Sequence, residues 1–252
     1  MHAQARALGL GTLLLLASGG ASAATAHVAT ASNFLATLRE LAADFEARNP
    51  HRIKISSGST GKLYAQIRHG APYDLFLAAD TRRPRLLEEQ GRVAADGRFT
   101  YAVGRLVLWD PNARGPLDGP ARLRQERYRF LAIANPDTAP YGLAARQTLQ
   151  SLTLWEDPEG HMVRGENIGQ AYQYVASGNA ELGFVALSQV ESPRHSGEGA
   201  YWLVPTERHA PIRQQAAVLA GREEGPAVAE FVDYLRSQPA QRIIESYGYA
   251  VP

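Results

Sequence analysis

The feature that most constrains the fold is a strand, a hydroxyl-rich turn and a helix that follow one another within residues 52–68. Residues 52–55 alternate polar and apolar side chains, as a half-buried strand does, and Leu63 and Ile67 have the spacing of one helix face. The turn between them, 56–61, reads Ser-Ser-Gly-Ser-Thr-Gly. Because a helix start offers unpaired N–H groups, this turn predicts an anion site, although the same residues also serve as ordinary helix caps.

A second unit of the same kind comes earlier in the chain. Residues 27–29 predict a strand, 30–33 a polar turn, and the apolar spacing within 34–45 a helix, with Ser32 or Asn33 expected as its N-cap. Parallel strands joined by helices place such turns at the same edge of a sheet, where open α/β sheets bind ligands. The two turns together therefore predict one binding site in an α/β protein.

The turn at 56–61 is similar to a nucleotide-binding P-loop, but it lacks two required residues. The P-loop motif needs Gly where this chain has Ser56, and Ser or Thr where it has Leu63. Without a hydroxyl after Lys62 there is no magnesium ligand. The sequence therefore argues against binding of ATP or GTP.

The first 23 residues have the pattern of a secretory signal peptide. Arg6 precedes an apolar run with four leucines at 13–16, and Ala21-Ser-Ala23 supplies small residues at the cleavage site. We expect cleavage before Ala24 and no lipid anchor, because the chain has no cysteine. Arg6 is one of 26 basic residues against 25 acidic ones, so its removal leaves the charge balanced and argues against nucleic acid as a partner.

Two strand-like runs predict that the chain forms two lobes. One runs from Phe99 to Trp109 with Gly104 near its middle, and the other runs from Gln215 to Leu219. If they pass side by side, residues 24–103 and 216–252 form a discontinuous first lobe, and residues 104–215 form a second lobe inserted into it. Cores of ordinary apolar residues must stabilise both lobes, because no disulfide can form.

The second lobe repeats the pattern of strand, turn and helix that the first lobe shows. Residues 130–134 predict a strand, 135–142 a loop that ends near Tyr141, and 143–149 a helix. Asn167 is expected to cap the next helix, with the N–H of Ile168 at its exposed start.

The ordered set of motifs resembles the periplasmic molybdate-binding proteins of ABC importers, over nearly the whole chain after the signal peptide. The motifs that carry the resemblance are Ala29-Thr-Ala-Ser-Asn33, Ser57-Gly-Ser-Thr-Gly61, Gly70-Ala-Pro-Tyr-Asp-Leu-Phe76, Ala79-Asp80, Asn135-Pro136, Ala139-Pro-Tyr-Gly142, the segment from Gly178 to Val185, and Tyr247-Gly-Tyr249.

This resemblance implies a type II periplasmic binding protein fold, with mixed, mainly parallel sheets flanked by helices and a ligand cleft between two lobes. It implies molybdate or tungstate as ligand, no cofactor, no enzymatic activity, and delivery to an inner-membrane permease by a monomer in the periplasm. The first lobe would supply Ser32, Asn33, Ser59 and Thr60, and the second would supply N–H groups at Tyr141 and Ile168. Some members carry a tyrosine near Ala186 that this chain lacks, so we expect binding mainly through the backbone.

Two other classes of function remain as alternatives. A secreted hydrolase could use Ser57 or Ser59 as nucleophile, but the chain has no Gly-x-Ser-x-Gly turn, and its histidines are scattered near turns, where we expect them at the surface. A zinc enzyme is disfavoured by the lack of cysteine and of a paired-histidine helix motif. The second alternative is a binding protein for sulfate, phosphate or an organic acid.

Overall fold

The computed structural model describes residues 23–125, 128–156, 160–192, 198–223 and 225–252. The predicted signal peptide therefore lies, apart from Ala23, outside the described residues. Among the helices in these ranges, none combines the length and the apolar character that a membrane span requires.

The strands and helices alternate along most of the chain. The strands are β1 (Thr25–Ala31), β2 (Arg52–Gly58), β3 (Leu75–Ala78), β4 (Val93–Gly104), β5 (Leu106–Asp110), β6 (Leu131–Ala134), β7 (Met162–Gly165), β8 (Leu182–Ala186), β9 (Ala200–Leu203) and β10 (Ile212–Leu219). The α-helices are α1 (Leu35–Glu46), α2 (Thr60–Arg68), α3 (Arg82–Glu89), α4 (Gly119–Arg124), α5 (Pro140–Ser151), α6 (Ile168–Ala176), α7 (Leu187–Val190), α8 (Pro226–Arg236) and α9 (Gln238–Ser246). Short 3-10 turns cover Ser32–Phe34 and Thr206–Arg208.

The strands form two five-stranded sheets with the same internal pattern. The first has the order β2-β1-β3-β10-β4 and the second the order β7-β6-β8-β5-β9. In each sheet the first three strands are parallel to one another. The fourth strand, β10 in the first sheet and β5 in the second, runs antiparallel to both of its neighbours. We call the first sheet with α1–α3, α8 and α9 the first lobe, and the second sheet with α4–α7 the second lobe. The architecture is the two-lobed α/β fold that the sequence predicted.

The chain passes between the sheets at β4 and β10, which pair side by side. Ile212 of β10 lies opposite Gly104 of β4, and β5 of the second sheet begins only two residues later, at Leu106. The return strand thus joins the first sheet at Ile212, earlier than the predicted Ala216. The exact division of the chain into lobes stays a prediction.

Separate apolar cores stabilise the sheets. On the first sheet, successive residues of β1 face opposite sides, so Val28 packs under α1 and α8 while Ala29 packs under α2 and α3. The second sheet has one continuous core around Ile133 and Phe184, both with no exposed surface. Because the covering helices are anchored by these cores, the residues at their N-terminal ends are held firmly where the two lobes meet.

Candidate functional site

A small pocket lies between the lobes, where β1, β2 and β3 end and where α5 and α6 begin. Its cavity volume is about 10 Å³. The six residues singled out from the sequence all line it: Ser32, Asn33, Ser59, Thr60, Tyr141 and Ile168. Their role as ligand-binding residues stays a prediction, but the fold does bring them together.

Ser32 reaches across from the first lobe to the second. Its Oγ accepts a hydrogen bond from the backbone N–H of Gly169, in the first turn of α6, at 3.1 Å. The prediction that Ser32 or Asn33 caps α1 was wrong: both lie in the 3-10 turn, and α1 begins without a side-chain cap. The reason is tertiary, because the two polar side chains are engaged by distant parts of the chain.

Ser59 and Thr60 occupy the start of α2. Ser59 is the N-cap, and its Oγ accepts from the N–H of Lys62 at 3.4 Å. Thr60 is the first helical residue, with no exposed surface, and its Oγ1 accepts from the N–H of Ala79 at 3.1 Å. Both hydroxyl oxygens thus accept a backbone hydrogen bond, and each hydroxyl hydrogen remains available for another acceptor.

Tyr141 is placed differently from its predicted position in a loop. Helix α5 begins at Pro140, whose fixed φ suits the first helical position, so Tyr141 lies in the first turn. No side chain caps this helix, which leaves early N–H groups such as that of Tyr141 for the pocket. The phenol hydroxyl instead lies beside Gln214, whose Nε2 donates to it at 3.4 Å.

Helix α6 begins as the sequence predicted. The Oδ1 of Asn167 accepts from the N–H of Gln170 at 3.0 Å, which makes Asn167 the N-cap. Ile168 follows as the first helical residue, buried and in the pocket wall. Three helix starts, those of α2, α5 and α6, therefore converge on the pocket with their positive dipole ends.

Asn33 takes part in a buried hydrogen-bond network where the lobes meet. Its Nδ2 donates to Oε1 of Gln214 at 2.9 Å and to the hydroxyl of Tyr249 at 3.0 Å. Within the part of the chain that the structure describes, its Oδ1 has no hydrogen-bond partner. Gln214 was not singled out from the sequence. It lies between the polar residues Arg213 and Gln215 in β10, so only its complete burial in the structure distinguishes it.

The two lobes touch around the rim of the pocket. The N–H of Gly61 donates to the carbonyl of Thr138 at 2.8 Å, and the Nη2 of Arg83 donates to the carbonyl of Asp137 at 3.0 Å. An exposed ion pair joins Lys62 to Glu166 at 2.5 Å. These contacts describe a closed cleft.

The pocket wall itself has no charged side chain. Beneath it lie three buried tyrosines, and burial raises the pKa of Tyr101 and Tyr141 well above the ordinary value, with further contributions from neighbouring tyrosines and, for Tyr101, from Asp80. Burial likewise raises the pKa of Tyr249 to about 12. All three phenols are therefore neutral hydrogen-bonding groups at physiological pH.

In the described part of the chain, the hydrogen bonds place His27 beside Ser56, and not beside the candidate nucleophiles Ser57 and Ser59. His27 Nε2 lies 2.9 Å from Oγ of Ser56, but Asp74 accepts from the backbone N–H of His27 and so does not orient its ring. His51 and His209 are buried, which corrects the expectation that the histidines lie at the surface. The described residues contain no group of three or more His, Asp or Glu side chains that could hold a metal ion.

Comparisons with known proteins agree with this architecture. A solved structure described as the Azotobacter vinelandii periplasmic molybdate-binding protein superposes with a TM-score of 0.85 at 40% identity, over 90% of this chain and 99% of that one. A relative from the same organism, named molybdate-binding protein ModA, is 45% identical over 245 residues, which are 97% of this chain and 96% of the relative. A protein of the same name from Rhodobacter capsulatus is 39% identical over 247 residues, 98% of this chain and 94% of the relative.

These relatives are binding proteins, and this chain is accordingly a binding protein rather than an enzyme. Residues 26–250 match the model of a family described as bacterial extracellular solute-binding proteins. The match covers both sheets and the whole pocket. The chain belongs to the bacterial extracellular solute-binding protein family.

Proposed function

We propose that this chain captures molybdate in the pocket between its lobes and delivers it to the permease of an ABC importer in the inner membrane. Tungstate, an oxyanion of the same charge and shape, is expected to bind as well. The protein would act as a monomer in the periplasm after removal of its signal peptide. The names of the relatives and the structural likeness at 40% identity support molybdate as the ligand.

The main structural support for the proposal is that backbone hydrogen bonds fix the three hydroxyl groups of the pocket. Ser32, Ser59 and Thr60 each accept a hydrogen bond from a backbone N–H, at 3.1, 3.4 and 3.1 Å. With an oxygen lone pair occupied and the side chain fixed, each hydroxyl can turn its hydrogen into the pocket. Hydrogen bonds to an ionised acceptor are roughly twice as strong as neutral ones, so this arrangement favours an anion.

The backbone supplies the remaining donors. Tyr141 and Ile168 stand in the first turns of α5 and α6, where N–H groups lack partners within the helix. The positive ends of three helix dipoles add a favourable potential for a dianion without any mobile counter-charge. Since hydrogen bonding alone would serve any tetrahedral dianion, discrimination against sulfate would depend on the size of the pocket.

Calorimetric titration with molybdate, tungstate, sulfate and phosphate tests the proposal. We expect tight binding of the first two and binding at least about 100-fold weaker for the others, which corresponds to about 2.7 kcal/mol. A thermal-shift series provides a second readout, because ligand at 100 times its dissociation constant adds about 2.7 kcal/mol to stability. If sulfate or phosphate bound more tightly than molybdate, that anion would be the ligand instead. If none of the four oxyanions bound, the proposal would be refuted.

Delivery requires a separate measurement. The importer should be reconstituted in vesicles with this protein as the sole binding protein, and its ATPase activity measured with and without molybdate. We expect stimulation that depends on the loaded, closed form of the protein. Equal ATPase activity with and without the protein would argue against delivery while leaving binding intact.

A further inference from the structure

One buried side-chain amide lies at the junction of the lobes. Gln214, in β10, has no exposed surface. Its Oε1 accepts hydrogen bonds from Nδ2 of Asn33 at 2.9 Å and from the hydroxyl of Tyr101 at 3.1 Å, and its Nε2 donates to the hydroxyl of Tyr141 at 3.4 Å. The position therefore needs a group that accepts on one side and donates on the other.

Two of these partners belong to the pocket wall, one from each lobe. Asn33 lies in the 3-10 turn that follows β1, and Tyr141 lies in the first turn of α5. Each lines the pocket while the tip of its side chain contacts Gln214. A single carboxamide thus connects the two ligand-facing segments, which are 108 residues apart in the chain (33 to 141).

A second set of hydrogen bonds fixes Asn33 in the orientation that Gln214 requires. Its Nδ2 donates to the hydroxyl of Tyr249 at 3.0 Å, Tyr249 donates to Oγ of Ser188 at 2.8 Å, and Ser188 donates to the backbone carbonyl of Asn33 at 3.1 Å. This closed ring spans both lobes, since Ser188 lies in α7. The Tyr249 hydroxyl also lies 3.0 Å from the backbone carbonyl of Asn33, so its single hydrogen has two acceptors within reach, and the network anchors both the side chain and the backbone of Asn33.

Gly104 makes room for the contact between Gln214 and Tyr141. A Cβ at this position would lie 2.0 Å from the Tyr141 hydroxyl and 2.8 Å from Nε2 of Gln214. Both distances are shorter than any tolerated contact, so a side chain here would displace the phenol. The bare backbone at the end of β4 is therefore part of the same arrangement.

We propose that Gln214 is a positioning residue for oxyanion capture, which holds the ligand-facing turns of both lobes in register in the closed state. This inference rests on the proposed function, because its readout is affinity for molybdate. Gln214 does not line the pocket. It acts through Asn33 on the first lobe and Tyr141 on the second.

A double-mutant cycle tests the coupling. Tyr141→Phe removes only the hydroxyl that Gln214 contacts, and Gln214→Met keeps the volume of the side chain while removing its hydrogen bonds. We expect Tyr141→Phe to bind molybdate about tenfold more weakly than the parent, as the loss of one buried hydrogen bond predicts. Gln214→Met removes three such bonds and should bind at least as weakly. The double variant should be no weaker than the weaker single variant, because both changes break the same link.

Gln214→Glu adds a readout that a merely structural role would not change. A protonated glutamic acid keeps the accepting and donating pattern of the amide, whereas a carboxylate cannot donate to Tyr141. Buried glutamates can titrate as high as about pH 8–9. The titratable groups around position 214 are the tyrosines 101, 141 and 249, which stay neutral over this pH range. The affinity of Gln214→Glu for molybdate should therefore approach that of the parent at pH 6 and fall at least about tenfold by pH 8.5. Gln214→Met should show no such trend beyond that of the parent.

The outcomes separate the inference from the function on which it rests. A parent protein that fails to bind molybdate would refute the proposed function. If the parent binds and the three variants match its affinity across this pH range, or if the two losses in the cycle simply add, the role of Gln214 is refuted while the proposed function stands.

Discussion

The hydroxyl oxygen of Ser32 accepts a hydrogen bond from the backbone N–H of Gly169 at 3.1 Å, although the two residues belong to different lobes. This bond connects the end of β1 to the first turn of α6. It holds the two lobes together at the cleft, and it leaves the Ser32 hydrogen free for another acceptor. If Ser32 binds the ligand as proposed, contact between the lobes and ligand binding depend on the same side chain.

Ser32→Ala should weaken molybdate binding by about 10- to 100-fold, because it removes a hydrogen bond to a charged ligand, worth about 1.5–3 kcal/mol. The stability of the ligand-free protein should change little, since Ser32 makes no helix cap. The matched control is Ser57→Ala, in the neighbouring strand β2, where the side chain is exposed and outside the pocket wall. Calorimetry that finds equal affinities for the two variants would contradict the role of Ser32.

Thr60→Val should lower both affinity and stability. The substitution keeps the shape of the side chain but removes the hydroxyl that faces the pocket and that accepts from the N–H of Ala79. Leaving that buried N–H without a partner costs about 1–3 kcal/mol of unfolding free energy. Thr60→Ser, which retains the hydroxyl, should recover most of the affinity. Titration and chemical denaturation of both variants check this, and a Thr60→Val protein that binds like the parent would exclude Thr60 from the site.

Gly61→Ala should impair closure without harming the fold. An added Cβ would lie 3.0 Å from the carbonyl oxygen of Thr138 in the opposite lobe, so the lobes would have to move apart slightly. We expect affinity to fall about fivefold, equivalent to about 1 kcal/mol of overpacking. The ligand-free unfolding midpoint should stay or rise, since alanine favours the helix more than glycine does.

Thr138→Ala is the control for this substitution. It leaves the backbone carbonyl in place and removes an Oγ1 that has no partner among the described residues. Its affinity should equal that of the parent. If Thr138→Ala weakens binding as much as Gly61→Ala does, the backbone contact between the lobes is not the cause.

Stability should decline steeply above pH 10. Unfolded tyrosines ionise near pH 10, whereas burial raises the pKa of Tyr249 to about 12 and that of Tyr101 higher than its ordinary value. The unfolded state then binds fewer protons than the folded state, so the unfolding free energy falls as pH rises through this window, by up to about 1.4 kcal/mol per pH unit for each such tyrosine. Below pH 10 the contribution is fully present.

Chemical denaturation at pH 8, 10 and 11 measures this decline, and Tyr101→Phe provides the comparison. The variant removes one buried phenol, so its unfolding free energy should fall less than that of the parent between pH 10 and 11. Identical pH dependence for the parent and Tyr101→Phe would show that Tyr101 does not titrate differently in the two states.

Much of this protein could be predicted from local sequence. The alternation in 52–55, the apolar spacing of Leu63 and Ile67, and the cap at Asn167 are consequences of side-chain periodicity and helix-end chemistry, which act over a few residues. The rule that parallel strands place their turns at one sheet edge predicts that the turns of the first lobe lie together. The resemblance to a known family then adds the second lobe and the cleft, so the α/β fold and the wall of the candidate site could be predicted without the structure.

The hydrogen-bond partners of those residues depend on how the chain folds in three dimensions. Ser32 and Asn33 look like helix caps in sequence, yet Gly169 and Gln214 engage them from 137 and 181 positions away. Gln214 lies in β10, and the residues next to it in the sequence do not indicate its hydrogen-bond partners. Local patterns report the periodicity of burial, but a buried polar group must find a hydrogen-bond partner wherever the fold supplies one, and that partner is set by how the two lobes pack.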